Sequence, residues 1–141
     1  MSQPLRRGER SGHDDFELGD GGGPLTDRLI ALVLEGVKTA TTSLLAEWEW
    51  DGRELSRPGS RWALIDGAGR EHGVVETREV RVLRLGDVDD EFARDEGEGD
   101  EDAAQWRAGH EAFWGRFYPQ LTLSDDTLVV CERFALVERH D

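Results

Sequence analysis

The sequence predicts an α+β domain, helices and strands around a single core. Three observations carry this. Residues 24–35 place Leu25, Leu29, Leu32 and Val33 at helical spacing behind Pro24. Residues 73–85 form the longest strand pattern, with valines on both parities, as a small closed sheet buried on both faces requires. Residues 101–117 return to a helical period, with Trp106, His110, Phe113, Trp114 and Phe117 on one stripe.

The elements follow in order. Residues 1–15 mix Arg, Gly, Ser and Asp without periodicity and read as a disordered leader, so the domain proper is assigned to 16–141. Gly19 to Gly23 is a flexible turn. Pro24 suits the first helical position, where its missing N–H is harmless, and Gly36 is placed to end the helix. Residues 39–45 are β-branched and then apolar, a strand. Glu47 to Trp50 alternates acid and aromatic, which puts Trp48 and Trp50 on one face of an extended segment before the Asp51-Gly52 turn. Arg57-Pro58-Gly59 turns into a short buried strand, Trp62 to Ile65, and Asp66 to Gly69 turns again. After the long strand, residues 87–94 read as a short helix with an acidic first turn, and 96–100 as a solvated loop. Tyr118-Pro119 breaks the aromatic helix. Residues 128–137 form a last strand, in which Cys131 acts as a small buried hydrophobe.

Composition narrows the class. One cysteine excludes an internal disulfide and fits a reducing compartment. No run approaches bilayer length, and no apolar run follows the N-terminal residues as a signal peptide requires. A soluble cytoplasmic protein is expected. The net charge is −14, and residues 87–102 alone, with ten acids and one arginine, hold −9 of it. That balance argues against DNA duplexes as partners while leaving room for a local basic cleft. There is no internal repeat, nucleotide-binding glycine pattern, zinc spacing or Gly-x-Ser-x-Gly elbow.

The chemistry concentrates behind the first helix. Lys38 is the only lysine among seventeen basic side chains, and Thr39, Thr41, Thr42 and Ser43 follow it. A lysine, unlike an arginine, can give up its proton when desolvated or crowded by charge. In strict alternation Glu76 shares a strand face with Val74, Val80 and Val82, where a carboxylate needs a partner. His110 falls one turn after Trp106 and beside Trp114, and Trp48 is a candidate for stacking on a base.

These stretches resemble the ASCH domains. The resemblance rests on the helix entering Gly36-Val37-Lys38-Thr39-Ala40-Thr41, on Arg57-Pro58-Gly59 and on Val75-Glu76-Thr77. It continues through Glu96-Gly97-Glu98-Gly99-Asp100, Trp106 with His110, and Val130-Cys131-Glu132-Arg133-Phe134. It runs in order over residues 16–138 and implies a PUA-like fold, a small mixed β-barrel with flanking α-helices and a cleft for RNA or nucleosides. Three activities travel with it. Some small bacterial members resemble amidohydrolases that deacylate 4-N-acetylcytidine, others metal-assisted single-strand ribonucleases, and others noncatalytic RNA-binding modules. The amidohydrolase set of a lysine, a threonine three residues on and a strand glutamate maps onto Lys38, Thr41 and Glu76, with Thr39, Trp48, Trp106 and His110 as substrate contacts. In that mechanism Thr41 attacks, neutral Lys38 takes its proton, and Glu76 protonates the departing amine. No cofactor is implied there. Only the ribonuclease reading calls for a divalent metal, on carboxylates such as Glu76. The expected partner is a modified nucleoside or single-stranded RNA. One geometric demand follows, since residues three apart on a strand point to opposite faces: Lys38 and Thr41 meet only across a turn or bulge.

Overall fold

A computed structural model describes residues 10–140. Five strands form one sheet: β1 (Asp14–Phe16), β2 (Ala40–Leu44), β3 (Arg61–Ile65), β4 (Glu71–Arg84) and β5 (Leu128–Arg139). The helices are α1 (Pro24–Leu34), α2 (Leu45–Trp50), α3 (Asp90–Asp95) and α4 (Ala103–Phe117), with a 3-10 turn at Leu85–Asp87. The strand order is β1-β3-β4-β5-β2, parallel between β1 and β3 and antiparallel elsewhere. Among the described residues no ladder joins β1 to β2. The sheet is therefore open, where the resemblance implied a closed barrel.

β4 is the spine. Its first half pairs with β3, and its whole length pairs with β5. Register shifts at Val74/Val75 and Thr77/Glu79 let the sheet bend and move the buried side from one face to the other. Two cores result. One packs Leu29, Ile30 and Val33 of α1 on Leu64, Val75 and Phe134. The other packs Phe92 of α3 and Trp106 and Trp114 of α4 on Leu44, Leu85, Val129 and Cys131. Each such apolar side chain contributes about 1.5–3 kcal/mol when fully buried. Burial pushes the Cys131 thiol up to about 12, and it packs as a hydrophobe.

Three local expectations change. Residues 47–50 are helical, because the Glu47 carboxylate accepts from Leu44 N at 3.2 Å and folds the chain back at the end of β2. Trp48 is consequently buried, while Trp50 is 54% exposed. β1 begins at Asp14, inside the span read as a leader; residues 1–9 of that span lie outside the described residues. Val82 is exposed, so the β4 face assigned to Glu76 is not the core face along its length. Among the described residues no helix is long and apolar enough to cross a membrane.

Candidate active site

Lys38 is drawn inward by the way α1 ends. Gly36 takes a φ of 77°, and the N–H groups of Val37 and Lys38 both donate to Leu32 O. Thr39 N then donates to Asp95 O, which ties this turn to the end of α3. Gly97, at φ 72°, lets the loop after α3 lie directly on Val37, whose carbonyl any Cβ there would strike. That approach brings Glu96 and Glu98 over the lysine.

The Lys38 ammonium is 2% exposed and faces four oxygens. It donates to Ala40 O at 2.9 Å, Glu98 Oε2 at 2.9 Å, Glu96 O at 3.2 Å and Glu96 Oε1 at 3.4 Å. A buried ammonium is tolerated only when paired and hydrogen-bonded, and here it is both. Glu96 is equally committed. Its Oε2 accepts from Thr42 Oγ1 at 2.7 Å and from Trp106 Nε1 at 2.5 Å, and its Oε1 lies 3.5 Å from His110 Nε2. Burial alone would raise this carboxyl, but the His110 contact and the Lys38 charge outweigh it and hold Glu96 down at about 2.

His110 completes the group. Its ring stacks on Trp106 at 4.3 Å and meets the edge of Trp114 at 5.2 Å. Nδ1 lies 2.9 Å from Trp106 O while Nε2 faces the carboxylate, so both nitrogens meet acceptors. Burial works against the charged ring; Glu96 and the carbonyl prevail and raise the His110 pKa. The imidazolium satisfies both contacts.

A cleft of about 780 Å³ opens beside this cluster. Thr41, Thr42 and Ser43 all line it, and consecutive strand residues alternate faces, so the cleft wraps the free edge of β2. One side presents Lys38, Glu96, Glu98 and His110; the other presents Thr41, Trp48, Ser56 and Glu132. Thr39 O accepts from Phe134 N on the paired side. By alternation Ala40 O turns outward to Lys38, and the Thr42 N–H points along the same free edge. Among the described residues nothing hydrogen-bonds to the Thr41 hydroxyl. Burial raises the Glu132 carboxyl, partly offset by the Ser56 hydroxyl and the Arg53 guanidinium.

Of the residues singled out in the sequence, Lys38, Thr41, Trp48 and His110 line the cleft. Lys38 and Thr41 share it without a bulge, from either side of the β2 edge. The Lys38 Nζ is directed at oxygens of Ala40, Glu96 and Glu98, and the Thr41 hydroxyl is not among its partners. The remaining assignments are corrected. Trp106 is fully buried beneath the cluster and does not reach the cleft, so it cannot stack on a ligand. Thr39 is exposed, outside the cleft, bonded to Asp95 O at 3.3 Å. Glu76 lies elsewhere on the sheet, held by Arg61 at 3.1 Å and Arg78 at 3.5 Å. It is outside the cleft lining, and Glu96 and Glu98 are the acids that stand beside Lys38.

Residues 18–138 match the ASCH domain family. The chain belongs to that family. Among solved structures, this ASCH domain is similar to a protein from Enterococcus faecalis, at 29% identity and a TM-score of 0.80, covering 89% of this chain and 77% of that one. It is also similar to the ASCH domain from Lactobacillus crispatus, at 26% identity and a TM-score of 0.75, covering 90% and 79%. No curated protein matches it in sequence. Membership suggests a role in binding or modifying nucleic acid.

Proposed function

We propose that this ASCH domain is an amidohydrolase that removes an acyl group from the exocyclic amine of a nucleoside, as in 4-N-acetylcytidine. One juxtaposition carries the reading: an uncommitted Thr41 hydroxyl on one side of the β2 edge, and the Lys38 ammonium fixed by Glu96 and Glu98 on the other. A scissile amide lying across that edge meets a nucleophile and a cation together. Thr41 attacks the carbonyl carbon. The developing oxyanion is met by the Lys38 charge and by the Thr42 N–H on the free edge. Glu96 and His110 neither attack nor transfer a proton; they hold Lys38 in place.

The lining favours a small neutral substrate over a strand of RNA. Eight carboxylates face the cleft (Asp15, Glu17, Glu47, Asp51, Glu96, Glu98, Asp100 and Glu132) against Lys38, Arg53 and His110. Such a field repels a phosphate backbone. Trp48, fixed by its Nε1 to Ser43 Oγ at 2.8 Å, backs the cleft with Arg53 over its ring at 4.4 Å, so the surface offered to a base there is the Arg53 guanidinium plane.

The test follows cytidine release from 4-N-acetylcytidine in the presence of a chelator. Wild type should turn over, and Thr41→Ala should lose at least about a hundredfold in kcat, the usual scale for a nucleophile or its proton partner. Absence of turnover by wild type overturns the proposal. Chelator-sensitive cleavage of single-stranded RNA in its place would support the ribonuclease reading.

A further inference from the structure

The amidohydrolase reading supplies a nucleophile and a cation but leaves the Thr41 proton without a destination. We infer that Glu132, directly across the strand pair from Thr41, is the group that carries this proton. The inference rests on the reading above and adds to it a residue with a stated task.

The β2–β5 register pairs Thr41 with Glu132. Directly opposed residues of an antiparallel pair project to the same face, with Cβ atoms about 4.5–5.5 Å apart, within reach of a glutamate side chain. Both line the cleft, so a substrate carbonyl that Thr41 can attack also lies beside the Glu132 carboxyl. Glu132 is buried, yet it is not bound into the Lys38 cluster, whose four acceptors come from Ala40, Glu96 and Glu98.

Its surroundings are sparse. From the segment after α2 it meets the Ser56 hydroxyl and Arg53, whose own ion pair is with Asp51 at 3.5 Å. From β4 its partner in register is Val80, and from β2 it is Thr41. With desolvation the dominant influence, the carboxyl sits above its ordinary range. That moves it toward the pH at which a base is most effective. Glu96, held at about 2 by its donors, is the wrong acid for this task.

The step balances. The Glu132 carboxylate takes the Thr41 Oγ proton as the Oγ–C bond forms, giving a tetrahedral oxyanion and a neutral Glu132. The oxyanion collapses, the C–N bond breaks, and Glu132 returns that proton to the departing amine. An acyl ester on Thr41 remains. A water then attacks the ester, losing a proton to Glu132, and Glu132 gives it to Thr41 Oγ as the C–O bond breaks. The products are the free amine and a carboxylic acid.

The experiment compares wild type, Glu132→Gln and Glu132→Asp on 4-N-acetylcytidine across pH, with thermal unfolding of each variant as a check of the fold. Glu132→Gln keeps the size and hydrogen-bonding reach of the side chain without its basicity. It should lower kcat by about a hundredfold or more with little change in KM, and abolish the acidic limb of the kcat/KM profile. Glu132→Asp, which keeps the base on a shorter stem, should recover part of the rate and restore that limb. Glu132→Gln that unfolds with wild type yet retains wild-type kcat and the same acidic limb overturns the inference and leaves the amidohydrolase reading intact. No deacylation by wild type overturns both.

Discussion

Two buried carboxylates in this domain each meet a histidine and a hydroxyl, and their fates differ. Glu96 takes Thr42, Trp106, Lys38 and His110 at the wall of the cleft. Glu71, at the start of β4, takes Ser11 Oγ at 2.8 Å, Ser11 N at 3.2 Å and the His140 ring. Burial raises Glu71 less than His140 and Ser11 lower it, so it too stays ionised. Yet Glu71 stands outside that cleft and ties the segment before β1 to the end of β5, which is a structural clasp. A buried ion pair with a lowered pKa therefore marks a rigid point, and function depends on what stands unoccupied beside it. Beside Glu96 opens a cleft, and across the β2 edge from it stand the Thr41 hydroxyl and Glu132.

The largest effect that separates the two comes from Lys38→Met. It leaves Glu96 and Glu98 without their cation and should lower stability by about 3–5 kcal/mol in urea unfolding, with turnover lost as well. A variant as stable as wild type would mean that the cage is not strained by an unpaired charge. Glu71→Ala should lower stability by about 1–3 kcal/mol, since His140 and Ser11 lose their acceptor, but leave kcat near the wild-type value. A kcat loss there that exceeds the loss of folded protein would break the distinction.

The pH dependence of stability sharpens it further. The Glu96 pKa is depressed from 4.5 to about 2, so its contribution is present above 4.5 and is lost as pH falls toward 2. The His110 pKa is raised from 6.5, so its contribution is full below 6.5 and is lost as pH climbs through the raised value. Wild type should thus lose stability on the alkaline side of 6.5. His110→Gln should lose that part of the slope, as read by urea midpoints between about pH 5 and 9. The smallest structural effect belongs to Thr41→Ala. With no hydrogen-bond partner among the described residues to orphan, it should change stability by less than about 0.5 kcal/mol while stopping turnover. A large destabilisation would show the hydroxyl to be part of the fold.

Much of this fold can be read from periodicity. α1, β3, β4, α4 and β5 lie where apolar spacing places them, because each buries several of the apolar side chains that set its period. α2 does not, since Glu47-Trp48-Glu49-Trp50 has a strand's period and becomes helical through the Glu47 to Leu44 N contact. Lys38 stands out as the sole lysine, and His110 by its place between two tryptophans. Glu96 and Glu98 are hidden by composition, because ten acids in sixteen residues resemble a solvated face. Gly97 between them was the available signal: a glycine at that point lets the backbone approach closely enough to bring both acids over one buried cation. Glu76 misleads for a related reason. Parity along β4 is reset at the Arg78 bulge, between Glu76 and the valines at 80 and 82, and no residue pattern announces it. Glu132 depends on the β2–β5 register, which is fixed by pairing between distant segments.

The burial of Lys38 also has an analytical consequence. It holds the one ε-amine in the chain, inside the Glu96–Glu98 cage. An amine-reactive acylating reagent therefore finds a single lysine side chain, which the native fold conceals. Each mass added to the peptide that carries Lys38 reports one molecule whose cage has parted, and its rate of appearance clocks the local breathing of the cleft wall apart from global unfolding. The protein comes with its own single-site probe.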